Sequence, residues 1–149
     1  MTTPSSRSIH IAREFSQPPV KVWQAWTDPS IVKLWFGSDP NGKVLAAKMD
    51  VRIHGVFAVT FANSNGAEFT AQGMYKEVNE PQRLVFTWGW ANQPEVHELI
   101  SLDFSPDGAG TLLTFEQSKV DPSTSMHNYA EGWRSTFQKL ERALGTINP

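Results

Sequence analysis

The sharpest candidate for chemistry in this chain is a carboxylate. Glu98 lies in the alternating run from Val96 to Ser105, and a period of two puts it on the same side as Ile100, Leu102 and Phe104. A carboxylate turned toward a cavity needs a partner or a shifted pKa, and both are marks of functional sites. The ordinary alternative is an open rim at the start of the strand, where Glu98 is simply solvated. With His54 or Tyr75 it would form an acid/base pair acting on a ligand held by rings, as a cyclase or hydratase requires. Other polar residues offer less. The four histidines, His10, His54, His97 and His127, are scattered without the close spacing of zinc ligands. The chain has no cysteine, which removes disulfides, thiolate nucleophiles and thiolate metal ligands. Neither a Gly-x-Ser-x-Gly elbow, a phosphate-binding loop nor a dinucleotide fingerprint occurs, and Gly108-Ala109-Gly110 reads as a hairpin turn. Asp50 and Arg52, two apart on one face of a strand, read as a structural ion pair. No metal, no cofactor and no catalytic residue is assigned from these patterns.

The other conspicuous groups are rings. Six Trp and nine Phe among 149 residues exceed what core packing alone requires, and as a set they point to a lined pocket. Thirteen basic against fifteen acidic residues give a net charge of −2 without a Lys/Arg cluster, which argues against nucleic acid. No run approaches the roughly 18 apolar residues of a membrane span, and MTTPSSRS lacks the apolar core of a signal peptide, so a cytoplasmic location is expected. The length suits one domain, placed at residues 7–146.

The elements that must position these groups follow from periodicity. Met126, Ala130, Trp133, Phe137, Leu140 and Leu144 are spaced four, three, four, three, four, one stripe of a helix from Ser125 to Gly145, roughly 30 Å long. Upstream, Arg7 to Phe15 alternates as a first strand. Pro18 and Pro19 open a short helix carrying Val22, Trp23 and Trp26. Asp28 and Pro29 then cap a second helix of about two turns, closed by Gly37. Its Leu34, Trp35 and Phe36, with Trp23 and Trp26, are too apolar for a solvated surface. Six further strands are expected at Lys43 to Arg52, Val56 to Ala62, Glu68 to Val78, Arg83 to Ala91, Val96 to Ser105 and Thr111 to Ser118, separated by turn residues at hairpin intervals. The result is α+β: an antiparallel meander with one long helix across one face.

Alternation gives the inward face. Phe57, Val59 and Phe61 share it, as do Phe69, Ala71, Gly73 and Tyr75, then Leu84, Phe86, Trp88 and Trp90, then Val96, Glu98, Ile100, Leu102 and Phe104, and finally Thr111, Leu113 and Phe115. The small pair Ala71 and Gly73 leaves space that neighbouring rings fill or that stays open as a cavity. Around it, Phe57, Val59, Phe61, Tyr75, Phe86, Trp88, Glu98, Ile100 and Leu102 form the expected ligand-binding wall. Trp133 and Phe137 form its floor, and Trp26 and Trp35 close one end. Val85, Thr87 and Ala91 lie on the outer face, where an exposed set leaves both a monomer and a homodimer open.

Five segments in order carry a family resemblance: VKVWQAWTDPSIVKLWF at Val20–Phe36, MDVRIHGVF at Met49–Phe57, GMYKEVNEPQRLVFTW at Gly73–Trp88, FSPDGAGTLLTF at Phe104–Phe115 and EGWRSTFQKLERAL at Glu131–Leu144. Together they resemble the START-like superfamily called SRPBCC, and within it the group named after the activator of heat-shock protein 90 ATPase. The resemblance implies a helix-grip (START-like, Bet v 1-like) fold, a curved antiparallel sheet of about seven strands wrapped on a long C-terminal helix with an apolar cavity between them. His54 departs from the family pattern by standing where the first of two glycines is usual, which implies a narrowed cavity mouth or an added polar group. Three functions follow as expectations. The favoured one is a module that binds a small hydrophobic or aromatic molecule. A protein partner role on a chaperone ATPase is the alternative implied by the family's name, and the cyclase- or hydratase-like enzyme built on Glu98 is the third.

Overall fold

In the computed structural model, residues 8–94, 97–121 and 126–147 are described. The strands are β1 (Ile9–Phe15), β2 (Lys43–Met49), β3 (Val56–Ala62), β4 (Glu68–Asn79), β5 (Arg83–Trp90), β6 (Glu98–Asp107) and β7 (Gly110–Ser118). The helices are α1 (Pro19–Thr27), α2 (Pro29–Val32) and α3 (Met126–Ile147). All seven strands form one curved antiparallel sheet in the order β1-β7-β6-β5-β4-β3-β2. β2 to β7 are thus a plain meander, and β1 returns to pair with β7, Ile9 opposite Gln117 and Phe15 opposite Thr111. Register shifts between Val44 and Ala46 and between Tyr75 and Glu77 interrupt the ladders, and such irregularities bend a sheet. α3 crosses the concave face with Trp133, Phe137, Leu140, Ala143 and Leu144 buried, while Met126 and Ala130 are half-buried near its start. This is the helix-grip arrangement.

The inward phases of β3 to β7 follow the alternation. Phe57, Val59, Phe61, Ala71, Tyr75, Leu84, Phe86, Trp88, Ile100, Leu102, Phe104, Leu113 and Phe115 are all buried. Phe69, at the far end of β4, is instead 40% exposed. Val96 lies outside the described residues.

Three local expectations change. The second helix is one turn, not two. After Val32 the chain tightens through Leu34 N to Ile31 O at 2.9 Å and Trp35 N to Val32 O at 3.2 Å, which lets consecutive Trp35 and Phe36 both turn inward and leaves Leu34 51% exposed. Gly37 then reverses the chain at φ +102°, and Trp35 is pinned by its indole N–H on the Ala25 carbonyl at 2.9 Å. β2 ends at Met49, so Asp50 and Arg52 do not share a strand face. They bracket a turn, paired at 2.8 Å and both exposed. Val85 is buried rather than exposed, because β5 is an inner strand. On its outer face Arg83 reaches sideways to Glu77 at 3.2 Å and to Asp103 at 2.7 Å, spanning the flanking strands.

His54 occupies that same turn, exposed, with φ +72°. The left-handed backbone explains a glycine preference here: a side chain at positive φ is strained, whereas glycine is not. Neither the cavity mouth nor an added polar group inside it is involved.

Candidate functional site

The rings between the sheet and the helices nearly fill the interior. Trp26 lies 4.7 Å from Trp35 between ring centroids, Phe57 lies 5.2 Å from Phe86, and Phe115 lies 4.7 Å from Trp133. What remains is an inner cavity of about 20 Å³, lined by Trp26, Val32, Trp35, Phe36, Met49, Phe57, Val59, Tyr75, Phe86 and Trp88. That is room for about one water-sized group. The gap expected at Ala71 and Gly73 is closed: a Cβ on Gly73 would stand 1.8 Å from the Thr87 carbonyl oxygen and 2.8 Å from the Phe57 ring. Tyr75 is buried, and burial, with the negative Asp50 adding to it, pushes its phenol well above the ordinary range. The Trp26 Nε1 is buried with no hydrogen-bond partner among the described residues.

A larger pocket of about 140 Å³ lies between the segment Phe36–Ser38 and the early turns of α3. Phe36, Phe61, Trp88, Trp90 and Trp133 supply its apolar walls, and Gly37, Ser38, Asn128, Tyr129, Gly132 and Thr136 complete it. The Tyr129 hydroxyl accepts from the Trp88 indole at 3.0 Å and from the Trp90 indole at 3.1 Å. Burial raises the Tyr129 pKa, the hydrogen bond from Trp88 pulls it down, and the charge of Glu98 raises it again. The third indole of this wall, Trp133, donates to Gln117 Oε1 at 2.8 Å. Gln117 in turn donates through Nε2 to Glu98 Oε1, and the Asp121 amide donates to Glu98 Oε2 at 2.9 Å. Glu98 is therefore not a solvated rim carboxylate. It is 4% exposed and closes a polar network that fixes the Trp133 ring.

The mouth is strapped to α3. Ser135 Oγ donates to the Ser38 carbonyl at 2.8 Å, and Lys139 Nζ donates to the Gly37 and Asp39 carbonyls at 3.0 and 2.9 Å. Partial burial lowers the Lys139 pKa, against the pull of Asp39. The Asp39 carboxyl is held below its usual range by the backbone N–H groups of Ser64 and Asn41 and by the Ser64 hydroxyl.

The family model described as Activator of Hsp90 ATPase homolog 1-like protein matches residues 16–145. The chain belongs to this family. With it comes membership of the START-like SRPBCC superfamily. Among solved structures, the AHSA1-like protein from Aeromonas hydrophila is 21% identical with a TM-score of 0.83, covering 94% of this chain and 93% of its own. A Nitrosomonas europaea protein is 23% identical with a TM-score of 0.81, over 95% and 96% of the two chains. CalU16 from Micromonospora echinospora is 27% identical with a TM-score of 0.69, over 93% of this chain and 76% of that one. At such identities the first two likenesses speak for the fold alone. No curated protein matches.

Within this AHSA1-like chain the residues expected from sequence divide between two cavities. Trp26, Trp35, Phe57, Val59, Tyr75, Phe86 and Trp88 line the inner one. Phe61, Trp88 and Trp133 line the larger pocket. Glu98, Ile100, Leu102 and Phe137 border neither: Ile100, Leu102 and Phe137 are closed over by neighbouring rings and aliphatic chains, and Glu98 is taken up by Gln117 and Asp121. His54 is exposed on its turn and Tyr75 lines the inner cavity, so neither the pair of Glu98 with His54 nor that of Glu98 with Tyr75 meets at either space. Sequence reasoning missed Tyr129, Gly132 and Gln117. Tyr129 and Gly132 flank the α3 stripe, with Tyr129 one turn before Trp133, and Gln117 continues the inward phase of Thr111, Leu113 and Phe115; a polar residue in that phase was the available signal.

Proposed function

We propose that this AHSA1-like domain binds a small aromatic or hydrophobic molecule in the pocket between Phe36–Ser38 and α3. The observation that carries the reading is the pocket itself, about 140 Å³ with five aromatic walls and the hydroxyls of Ser38, Tyr129 and Thr136 among its few polar groups, in an interior that is otherwise nearly filled. An apolar cavity of about 150 Å³ is known to take benzene, which sets the scale at one ring with a small substituent. Convergent indoles tied to Tyr129 and Gln117 give rigid faces for stacking, and few polar groups among many apolar ones is the usual composition of such sites. The domain at residues 7–146 acts in this reading as a cytoplasmic binding module without catalytic residues.

The test is titration with one-ring aromatics, followed by tryptophan fluorescence and the thermal midpoint. A ligand that binds only the folded state stabilises by about 2.7 kcal/mol at a hundredfold excess over Kd, a rise of roughly 5–10 °C for a chain of this size. Saturable quenching with that rise supports the reading, and a flat response across the panel overturns it. A second reading, a protein partner such as a chaperone ATPase, draws on the opposite face. There an open groove of about 590 Å³ includes Lys48, Val56, Met74, Lys76 and His97, and Val56 is 59% exposed. Loss of binding to such a partner on Val56→Asp would support it.

A further inference from the structure

Phe36 and Trp88 line both cavities, so they form the partition between them. The two residues are held differently. Trp88 is tied by its indole N–H to Tyr129, whereas the Phe36 ring carries no hydrogen-bonding group and packs against other rings, at 5.5 Å from Phe61, 5.7 Å from Trp35 and 5.9 Å from Trp88. Its backbone is fixed on both sides, by Phe36 N to Val32 O at 3.1 Å and by Lys139 on the Gly37 carbonyl. The side chain can therefore turn about χ1 without breaking a hydrogen bond, while the segment stays in place.

Beyond Phe36 lies the inner cavity with Trp26 on its wall. Trp26 is 5% exposed, and its Nε1 has no partner among the described residues. Buried N–H groups are almost always paired, and one left over on a residue that lines a cavity asks what pairs it. The cavity of about 20 Å³ admits one small group and no ring. Among the described residues, none of its lining side chains is charged. An ionised group placed there would lose its hydration without gaining a counter-charge.

Resting on the binding reading above, we infer that the ligand is an aromatic molecule bearing a compact neutral hydrogen-bond acceptor, such as a carbonyl, which passes Phe36 and places that acceptor on the Trp26 indole N–H. The aromatic body stays in the outer pocket or takes the space Phe36 vacates among Trp35, Phe61 and Trp88. Only the acceptor atom enters the inner cavity.

Acetophenone and α-methylstyrene test this, because they share shape and differ in C=O against C=CH2; benzoate adds the charge. Trp26→Phe removes the donor and keeps a ring. It should weaken acetophenone about tenfold, one hydrogen bond's worth, and leave α-methylstyrene within about twofold. In the wild-type protein labelled with 15N-tryptophan, the Trp26 Nε1–H resonance should move downfield with acetophenone and not with α-methylstyrene. This measurement decides the matter if the variant does not fold. Phe36→Leu should speed acetophenone association several-fold. Equal weakening of both ligands in Trp26→Phe, an unmoved indole resonance, or benzoate binding as tightly as acetophenone overturns the inference while leaving the binding reading intact. An unchanged association rate in Phe36→Leu overturns the partition. Failure of both neutral compounds to bind the wild-type protein overturns the binding reading as well.

Discussion

Gly132→Ala separates the demands of the helix from those of the pocket. Gly132 lies inside α3, where glycine costs about 1 kcal/mol relative to alanine through its larger loss of backbone freedom. A Cβ there would meet only Ser38, its Cβ at 3.5 Å and its Oγ at 3.9 Å, which is ordinary van der Waals contact. The half-buried methyl adds a fraction of the roughly 0.8 kcal/mol of a fully buried methylene. The variant should therefore be more stable by about 1–1.5 kcal/mol, raising the thermal midpoint by roughly 3–5 °C. Gly132 also lines the pocket of about 140 Å³. A methyl group takes close to one water's share of that space, about 30 Å³. Overpacking of a fitted space costs about 1–3 kcal/mol, so acetophenone should bind at least about fivefold more weakly. Thermal unfolding and fluorescence titration of the same preparation read both effects. A lowered midpoint would refute the contact geometry between α3 and Ser38. A raised midpoint with unaltered affinity would refute the assignment of this pocket as the binding site.

The exposed turn at His54 offers a backbone test: with φ at +72°, His54→Val should destabilise by about 1–2 kcal/mol, while His54→Gly should be neutral or stabilising, as measured by urea unfolding. Equal effects of the two substitutions would remove backbone strain as the cause. At Asp39 the folded pKa lies below the ordinary 3.8, because the Ser64 and Asn41 amides and the Ser64 hydroxyl favour the carboxylate. A depressed carboxyl contributes stability above its unfolded pKa and loses it as pH falls through the folded value. Asp39→Asn should thus be less stable than wild type at pH 7, with the gap narrowing as the pH falls below 3.8. A gap that stays constant through this range would show that ionisation of Asp39 does not matter.

Much of the fold was legible because its signals are local. The α3 stripe needs only a period of 3.6, and the inward faces of β3, β5 and β7 need only a period of two, so Trp133, Phe137, Phe57, Val59, Phe86, Trp88, Leu113 and Phe115 are buried where their spacing puts them. The same reasoning failed where regular geometry stops. Leu34, Trp35 and Phe36 look alike as apolar residues, and only a tightened turn distinguishes the exposed first from the buried other two. Val85 reads as outward and therefore wet, but it is buried, with Glu77 of β4 and Ser101 of β6 as its neighbours across the sheet.

The sequence by itself determined which faces are apolar, the order of the elements and the family, since each is carried by residue types at fixed spacing. Tertiary structure alone decided where space remains. A cavity is what is left after rings from five or six separate elements have packed, and shifts of an ångström in Phe36, Phe57 or Tyr129 fill or open it without altering any periodicity. Glu98 shows the same division. Alternation turned it inward, but only the approach of β7 and of the segment after it brought Gln117 and the Asp121 amide to its two oxygens, making it an anchor for Trp133 instead of a group facing the pocket.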